Sequence, residues 1–240
     1  MQKKILGIIG LRSGSKGLRN KNIKLLGRVP LFVHILKSAR NTKLINRVIV
    51  STDSKRYQKL AIKYGAESPF LRPKNLSKDT SQELDFIKDL LKKLKTTEGY
   101  TPDLIVRLMA TCPFQKSADI DQVIKKVLFG NFNSAVIISK SKQHPEKSLK
   151  IIGSKKKYLT TYISNNPLNV GSKLNRQNFK EAYVRSNVIA CKTFVINKYN
   201  SLTSKKTGFH IVPATIDIDD KLDFEYAKFF IKKIKNERKS

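Results

Sequence analysis

The stretch KILGIIGLRSGSKGLRNKN, residues 4–22, decides how the rest of the chain is read. Lys4 to Leu11 is apolar and branched after its opening lysine, too short for a buried helix and bounded by turn formers. That pattern predicts a strand buried on both faces. Arg12 to Asn22 mixes Gly, Ser, Lys, Arg and Asn, the composition of a loop. A buried strand running straight into such a loop opens an α/β sheet, where ligands bind beyond the carboxyl ends of the strands. Gly14 and Gly17 are expected to allow positive φ and close backbone approach, so that amide groups converge on phosphate oxygens. Ser13 and Ser15 add hydroxyl donors, and Arg12, Lys16 and Lys21 add charge that would neutralise a triphosphate. The loop matches neither the Walker pattern nor the dinucleotide fingerprint. Its alternative reading is a solvated basic turn.

Outward from this loop the rhythm is strand and helix in turn. Pro30 opens a helix with Phe32, Ile35, Leu36 and Ala39 on one face. Arg47 to Ser51 is a second strand, followed by a helix capped by Asp53 or Ser54 that runs to Tyr64 and stops at Gly65. Ser81 to Lys95 places Leu84, Ile87, Leu91 and Leu94 at helical spacing. Asp103 to Ala110 and Ser134 to Ser139 are further strands, separated by a helix over Asp119 to Phe129. The expected class is α/β, a mostly parallel sheet with helices on both faces. From about 140 to 185 short polar segments with Pro145 and Pro167 predict an inserted arm within a single domain spanning 1–240. Asn187 to Lys192 and His210 to Asp219 read as strands before a last helix carrying Leu222, Tyr226, Phe229 and Phe230.

The chain has 240 residues and a formal net charge of +31, from 49 Lys and Arg against 18 Asp and Glu. Such a field draws polyanions, whether nucleic acid, a membrane surface or a nucleoside triphosphate. Lys outnumbers Arg 38 to 11, whereas base readout favours Arg, and no aromatic pattern of an RNA-binding sheet is present. Specific nucleic-acid binding is therefore not expected, and much of the charge reads as lysine-rich background. The placement is uneven, however. Residues 1–52 hold 12 basic residues and no acid. Five acids then fall together at Asp217, Asp219, Asp220, Asp223 and Glu225.

Asp217 and Asp219 stand two apart at the end of the expected strand, on one face, so both carboxylates could reach one hard cation. Mg²⁺ is commonly held by one or two carboxylates plus substrate phosphates. The rival reading is that Asp219 or Asp220 caps the following helix. No run of 18 or more apolar residues occurs, so no membrane insertion is expected, and the basic start lacks a signal-peptide cleavage site. Cys112 and Cys191 lack the spacing of a disulfide framework or a zinc site, and a cytoplasmic protein is expected. His34, His144 and His210 form no nucleophilic set.

RSGSKGLRNKN resembles the A-R-[GS]-G-S-K-G-x-x-x-K-N signature of the acylneuraminate (CMP-sialic acid) cytidylyltransferase family. The resemblance continues through VIVSTDS at 48–54, GAESPFLRPKNLSKDTS at 65–81, LMATCPF at 108–114, NRQ at 175–177, YVRSN at 183–187 and IDIDDKLDFEYA at 216–227. It implies a Rossmann-like nucleotidyltransferase fold and a reaction in which the anomeric hydroxyl of a nonulosonic acid attacks the α-phosphate of CTP with Mg²⁺ as cofactor. By motif position, Arg12, Lys16, Lys21 and Asp219 would be catalytic. Arg12, Ser13, Gly14, Ser15, Asn22, Arg72 and Ser81 would bind the nucleotide. Thr111, Arg176, Gln177 and Asn187 would bind the sugar acid, and Asp217 and Asp219 the metal. Family analogy adds a homodimer with the 140–185 arm reaching the neighbouring site, and a place in sialic-type, cell-surface polysaccharide biosynthesis.

Two departures stand out. The family's L-Q-P-T-S-P-L-R is Leu108-Met109-Ala110-Thr111-Cys112-Pro113-Phe114-Gln115 here, and a thioether cannot donate the hydrogen bonds of an amide. The later N-G pair is Asn187-Val188. The nucleotide end thus keeps the family pattern while the sugar end is altered, which leaves a legionaminic, pseudaminic or Kdo-like acid as the alternative acceptor.

Overall fold

A computed structural model describes residues 2–14, 17–170 and 179–237, with side chains as far as Ile234. They divide into two compact units, one of residues 1–137, 186–210 and 215–240, the other of 138–185 with 211–214.

The first unit is organised around β1 (Ile5–Leu11), whose side chains are nearly all buried. It is flanked by β4 (Arg47–Thr52) and β5 (Leu104–Met109), both parallel to it. An apolar strand with neighbours on both sides and helices over the sheet is what its unbroken hydrophobic run requires. The full order is β10-β6-β9-β5-β1-β4, with β6 at Ser134–Lys140, β9 at Tyr183–Lys192 and β10 at Thr207–Ile211. β9 runs antiparallel to β5, Val106 facing Ala190. The expected class, a mostly parallel sheet flanked by helices, holds. A short ribbon of β2 (Leu25–Leu26) and β3 (Val29–Pro30) follows the first loop.

The helices are α1 (Leu31–Arg40), α2 (Lys55–Lys63), α3 (Glu83–Glu98), α4 (Ser117–Leu128), α5 (Thr193–Tyr199) and α6 (Lys221–Glu237). α1 buries Leu31, Phe32, Val33, Ile35, Leu36 and Ala39. Each of these but Ala39 contributes about 1.5–3 kcal/mol when fully buried. Ser54, not Asp53, caps α2 by accepting from the Tyr57 amide at 3.4 Å. Gly99, at φ +61°, ends α3 in the left-handed conformation.

Register aligns the carboxyl ends of the three parallel strands: Leu11 lies beside Thr52, and Gly10 beside Met109. Three connections therefore leave from one edge: the 12–22 loop, the turn at Asp53, and the 110–116 segment. Past Thr52 the chain returns alongside β4, with Val50 donating to the Glu67 carbonyl at 2.8 Å and Arg72 to the Thr52 carbonyl at 2.8 Å. Arg72 is thereby delivered to the same edge.

One expected strand is corrected. His210 to Asp219 is not extended throughout; β10 starts earlier and ends at Ile211. Val212 still donates to Ile138, but Pro213 has no amide hydrogen to continue a ladder. Residues 212–219 instead return to the site edge, where the Ile218 amide donates to the Thr111 carbonyl at 2.9 Å. Ile218, Phe224 and Ala227 there bury against Leu26 and Leu31.

In the second unit β7 (Leu149–Ile152) and β8 (Tyr158–Thr161) form an antiparallel hairpin with Ile151 facing Leu159. His144 stacks on Phe179 with ring centroids 4.6 Å apart. Ile151, Tyr162 and Leu168 are exposed. Among the described residues no helix is long and apolar enough to cross a membrane.

Candidate active site

At the carboxyl edge of β1, β4 and β5 lies a cavity of about 500 Å³. Arg12, Gly17, Lys21, Asn22, Arg72, Ser81, Thr111 and Asp219 line it, so one hollow brings together most of the described residues among those expected to act. Ser13, Gly14, Asn187 and Asp217 lie outside the lining. Ser15, Lys16, Arg176 and Gln177 lie outside the described residues.

The 12–22 loop is clamped by its neighbours. The Asp53 carboxylate accepts from the Ser13 amide at 2.9 Å and from the Ser13 hydroxyl at 2.7 Å. Asn22, itself buried, donates through Nδ2 to the Arg12 carbonyl at 3.1 Å. Tyr57 donates to Asn20 at 3.2 Å, and Asn20 adopts φ 54°. Ser13 and Asn22 therefore brace the loop. Gly14 is not among the positive-φ glycines of the described residues. Gly17 is needed for close approach: a Cβ there would sit 2.8 Å from the Asp219 carbonyl oxygen.

Two cations of the loop, Arg12 and Lys21, meet carboxylates. Arg12 pairs with Asp79, and Lys21 Nζ lies 3.2 Å from Asp219 Oδ1. The Lys21 side chain is 12% exposed and that of Asp219 78%, so the carboxylate can be exchanged while the ammonium stays in place. Asp219 is available because its neighbour does the capping. Asp220 Oδ1 accepts from the Asp223 amide at 2.9 Å, and Asp223 Oδ2 accepts from the amides of Asp219 and Asp220 at 2.9 and 3.1 Å.

Arg72 is held on three sides. Its Nε donates to Ser51 Oγ at 3.2 Å and its Nη2 to the Ser51 carbonyl at 2.7 Å. The guanidinium lies 3.7 Å over the Phe86 ring, a cation–π contact. A Cβ on Gly10 would meet Phe86 at 2.9 Å and Arg72 at 3.2 Å, so the strand carries glycine where this stack crosses it. Burial lowers the guanidinium's pKa to about 10, opposed by the charges of Asp53 and Glu83. Ser81 closes the 75–81 turn on itself, donating to the Asn75 carbonyl at 2.8 Å and accepting from the Lys78 amide at 3.1 Å.

Beyond β5 the chemistry is different. Asn187 Nδ2 donates to Asp217 Oδ2 at 2.6 Å and contacts Cys112 Sγ at 2.8 Å. Burial first, and then the Asp217 charge, push the Cys112 thiol up to about 12, so it is protonated at neutral pH and no nucleophile. Thr111 Oγ1, Gln115 Oε1 and Asp217 Oδ1 are buried with no hydrogen-bond partner among the described residues. Met109 lines the cavity while Gln115 is buried behind it. Among the described residues no three or more His, Cys, Asp or Glu converge on one point. His210 contacts Asp119 at 3.1 Å and His34 the Leu26 carbonyl at 2.9 Å, both outside the cavity lining.

Sequence reasoning missed Asp53 as loop clamp, Phe86 as the surface under Arg72, and Asp79 as the partner of Arg12. Asp53 follows a strand directly and Asp79 sits in the DTS segment. Phe86 carried no signal beyond an apolar position on α3.

The chain is similar to several known proteins. The family model described as cytidylyltransferase matches residues 6–228. Post-translational flagellin modification protein B of Campylobacter coli is 27% identical over 95% of both chains. The N-acylneuraminate cytidylyltransferase of Escherichia coli is 32% identical across 100% of this chain, which spans only 54% of that enzyme. The CMP-N,N'-diacetyllegionaminic acid synthase of Campylobacter jejuni is 27% identical over 95% of this chain and 94% of its own length. In fold, the chain is similar to a CMP:2-keto-3-deoxy-manno-octonic acid synthetase solved with CTP, with a TM-score of 0.70, 15% identity and coverage of 96% and 99%.

Proposed function

The chain belongs to the cytidylyltransferase family, a nucleotidyltransferase by descent, and from that premise we propose that it transfers CMP from CTP to the anomeric hydroxyl of a nonulosonic sugar acid. The hydroxyl oxygen forms a bond to the α-phosphorus while the bond from that phosphorus to the β-phosphate oxygen breaks. Its electron pair leaves with pyrophosphate, and the hydroxyl proton passes to solvent. No side-chain nucleophile is required, which suits a site whose buried thiol is protonated.

One observation carries this reading: Arg12, Lys21, Arg72 and Asp219 line one cavity at the carboxyl edge of the parallel strands. Arg12 and Lys21 offset charge that develops on the phosphoryl oxygens, and their fixed positions spare the reorganisation that water would need. Arg72 and Ser81 hold the cytidine moiety, and Asn22 keeps the loop in shape. Arg176, Gln177 and Thr111 meet the sugar acid, an Arg being suited to engage a carboxylate through two parallel hydrogen bonds.

The carboxylates suit a small hard cation. Asp219 is exposed at the cavity wall, and Asp217 keeps a buried oxygen without a partner among the described residues. Asp217 and Asp219 would hold Mg²⁺, which when bound supplies positive charge to the phosphates. The proposed setting is cytoplasmic. The proposed assembly is a homodimer, supported by the exposed Ile151, Tyr162 and Leu168 of the second unit; light scattering should give twice 27.3 kDa, and a monomer at working concentration would overturn it.

Met109 and Gln115, at places where the family pattern has an amide and a guanidinium, favour an acceptor other than N-acetylneuraminate, of the legionaminic or pseudaminic kind. The purified protein with CTP, Mg²⁺ and a panel of nonulosonic acids is expected to release pyrophosphate with at least one. Release with none, from folded protein that still binds CTP, would overturn the acceptor class.

A further inference from the structure

Both loop cations in the cavity are neutralised from outside the loop, but their partners differ. Asp219 belongs to the carboxylate pair already given a role, whereas Asp79 has none. Asp79 lies on the 75–81 turn, which forms one wall through Leu76, Ser77, Lys78 and Ser81. That turn is tied to itself: the Ser81 amide donates to the Lys78 carbonyl at 3.1 Å, and the Ser81 hydroxyl bonds Asn75 and Lys78. Asp79 reaches out of this closed turn to pair with Arg12, the residue that follows β1. The two side chains are 39% and 36% exposed, so a solute entering the cavity can reach both.

A carboxylate and a phosphate each offer a guanidinium the same thing, a pair of anionic oxygens spaced for its fork of N–H donors. An anion that needs Arg12 must therefore take it from Asp79, and it must do so against the repulsion of that aspartate. We propose that Asp79 competes with phosphate for Arg12 and so sets how much negative charge a nucleoside ligand must carry to occupy the site. A triphosphate carries enough to displace it. An uncharged nucleoside gains nothing from the exchange and is held only through its base and sugar. The proposal deepens the nucleotide reading, because it rests on Arg12 meeting the phosphates.

Asp79→Asn keeps the shape of the side chain and removes its charge. By calorimetry at low salt, the variant is expected to bind CTP and inorganic triphosphate about three- to tenfold more tightly than wild type, the range of an exposed ion pair plus relieved repulsion. Cytidine should bind both proteins equally. The gain should shrink with added salt, and it should vanish in an Arg12→Ala background, which isolates the pairwise term. Unchanged or weaker CTP binding by a folded Asp79→Asn protein would overturn the proposal. So would equal tightening of cytidine, because Asp79 would then act by shaping the wall. The two readings fail separately: triphosphate tightened by Asp79→Asn while wild type does not bind CTP would keep the competition and remove the cytidylyl function.

Discussion

The two ends of the cavity are finished differently. On the β1 side Arg12 is matched by Asp79, Lys21 by Asp219, and Arg72 is clamped between Ser51 and Phe86. On the β5 side Thr111 Oγ1 and, behind it, Gln115 Oε1 and Asp217 Oδ1 are buried without hydrogen-bond partners among the described residues. A buried polar atom left unpaired costs about 1–3 kcal/mol, so proteins retain few of them. The contrast teaches a division of labour. The β1 side is a rigid array of charge whose members neutralise one another. On the β5 side Thr111 and Gln115 are desolvated groups of modest polarity, the kind that distinguish one hydroxylated ligand from another, and Asp217 adds a carboxylate.

The largest effect that would break this contrast is at Asp219. Asp219→Asn is expected to lower turnover by at least about 10²–10³-fold, the cost of losing one preorganised electrostatic contact to the transition state. Its side chain is 78% exposed, so the unfolding midpoint should barely move. Steady-state rates beside thermal melts check both halves. A fully active variant would mean that the β1 side does not carry the chemistry.

Arg72→Lys comes next. Lysine keeps the charge but loses the planar fork that reaches Ser51 and lies flat on Phe86. CTP affinity is expected to fall about 10- to 100-fold, corresponding to charged hydrogen bonds of about 1.5–3 kcal/mol. Calorimetric titration with CTP measures it, and an unchanged dissociation constant would remove Arg72 from the nucleotide contacts.

Thr111→Val probes the other side. The swap removes the unpaired hydroxyl at nearly constant volume, so stability should hold or rise. The Michaelis constant for the sugar acid should rise about tenfold, one hydrogen bond of about 1 kcal/mol or slightly more, while that for CTP stays put. A shift in the CTP constant instead would erase the boundary between the two ends.

The same boundary marks what the sequence made legible. Strands β1, β4 and β5 were readable because a two-sided apolar run such as Ile5–Leu11 has few other ways to be buried. The loop after β1 was readable because its residue types are unusual together. Partnerships were not. Nothing local in the DTS segment says that Asp79 crosses the cavity to Arg12, since that pairing is set by how the 66–72 return stacks beside β4. The end of β10 was misplaced because apolar residues continue past Ile211, and only the sheet order shows β10 as an edge strand that Pro213 can leave. Asn187 reads as a sugar contact from its motif, yet its amide is turned to Asp217 and Cys112.

The smallest expected effect lies at that last cluster, and it is the sharpest test of whether the β5 side holds a nucleophile. Cys112 stands where the family pattern has Ser. Its thiol touches Asn187 Nδ2 at 2.8 Å, and Asn187 in turn donates to Asp217 at 2.6 Å. A serine hydroxyl offers the same donor and acceptor in less volume, so Cys112→Ser preserves the connections around Asp217. Turnover should stay within about fivefold of wild type, one neutral hydrogen bond of about 1 kcal/mol. Both cysteines are buried, and burial raises each thiol's pKa to about 12. A thiol reagent should therefore label neither in the folded protein at neutral pH and both after denaturation. A hundredfold loss in Cys112→Ser, or fast labelling of one native cysteine, would put a reactive thiol beside Asp217. The β5 side would then supply a nucleophile of its own, beyond selecting the acceptor and offering the proposed metal ligand Asp217.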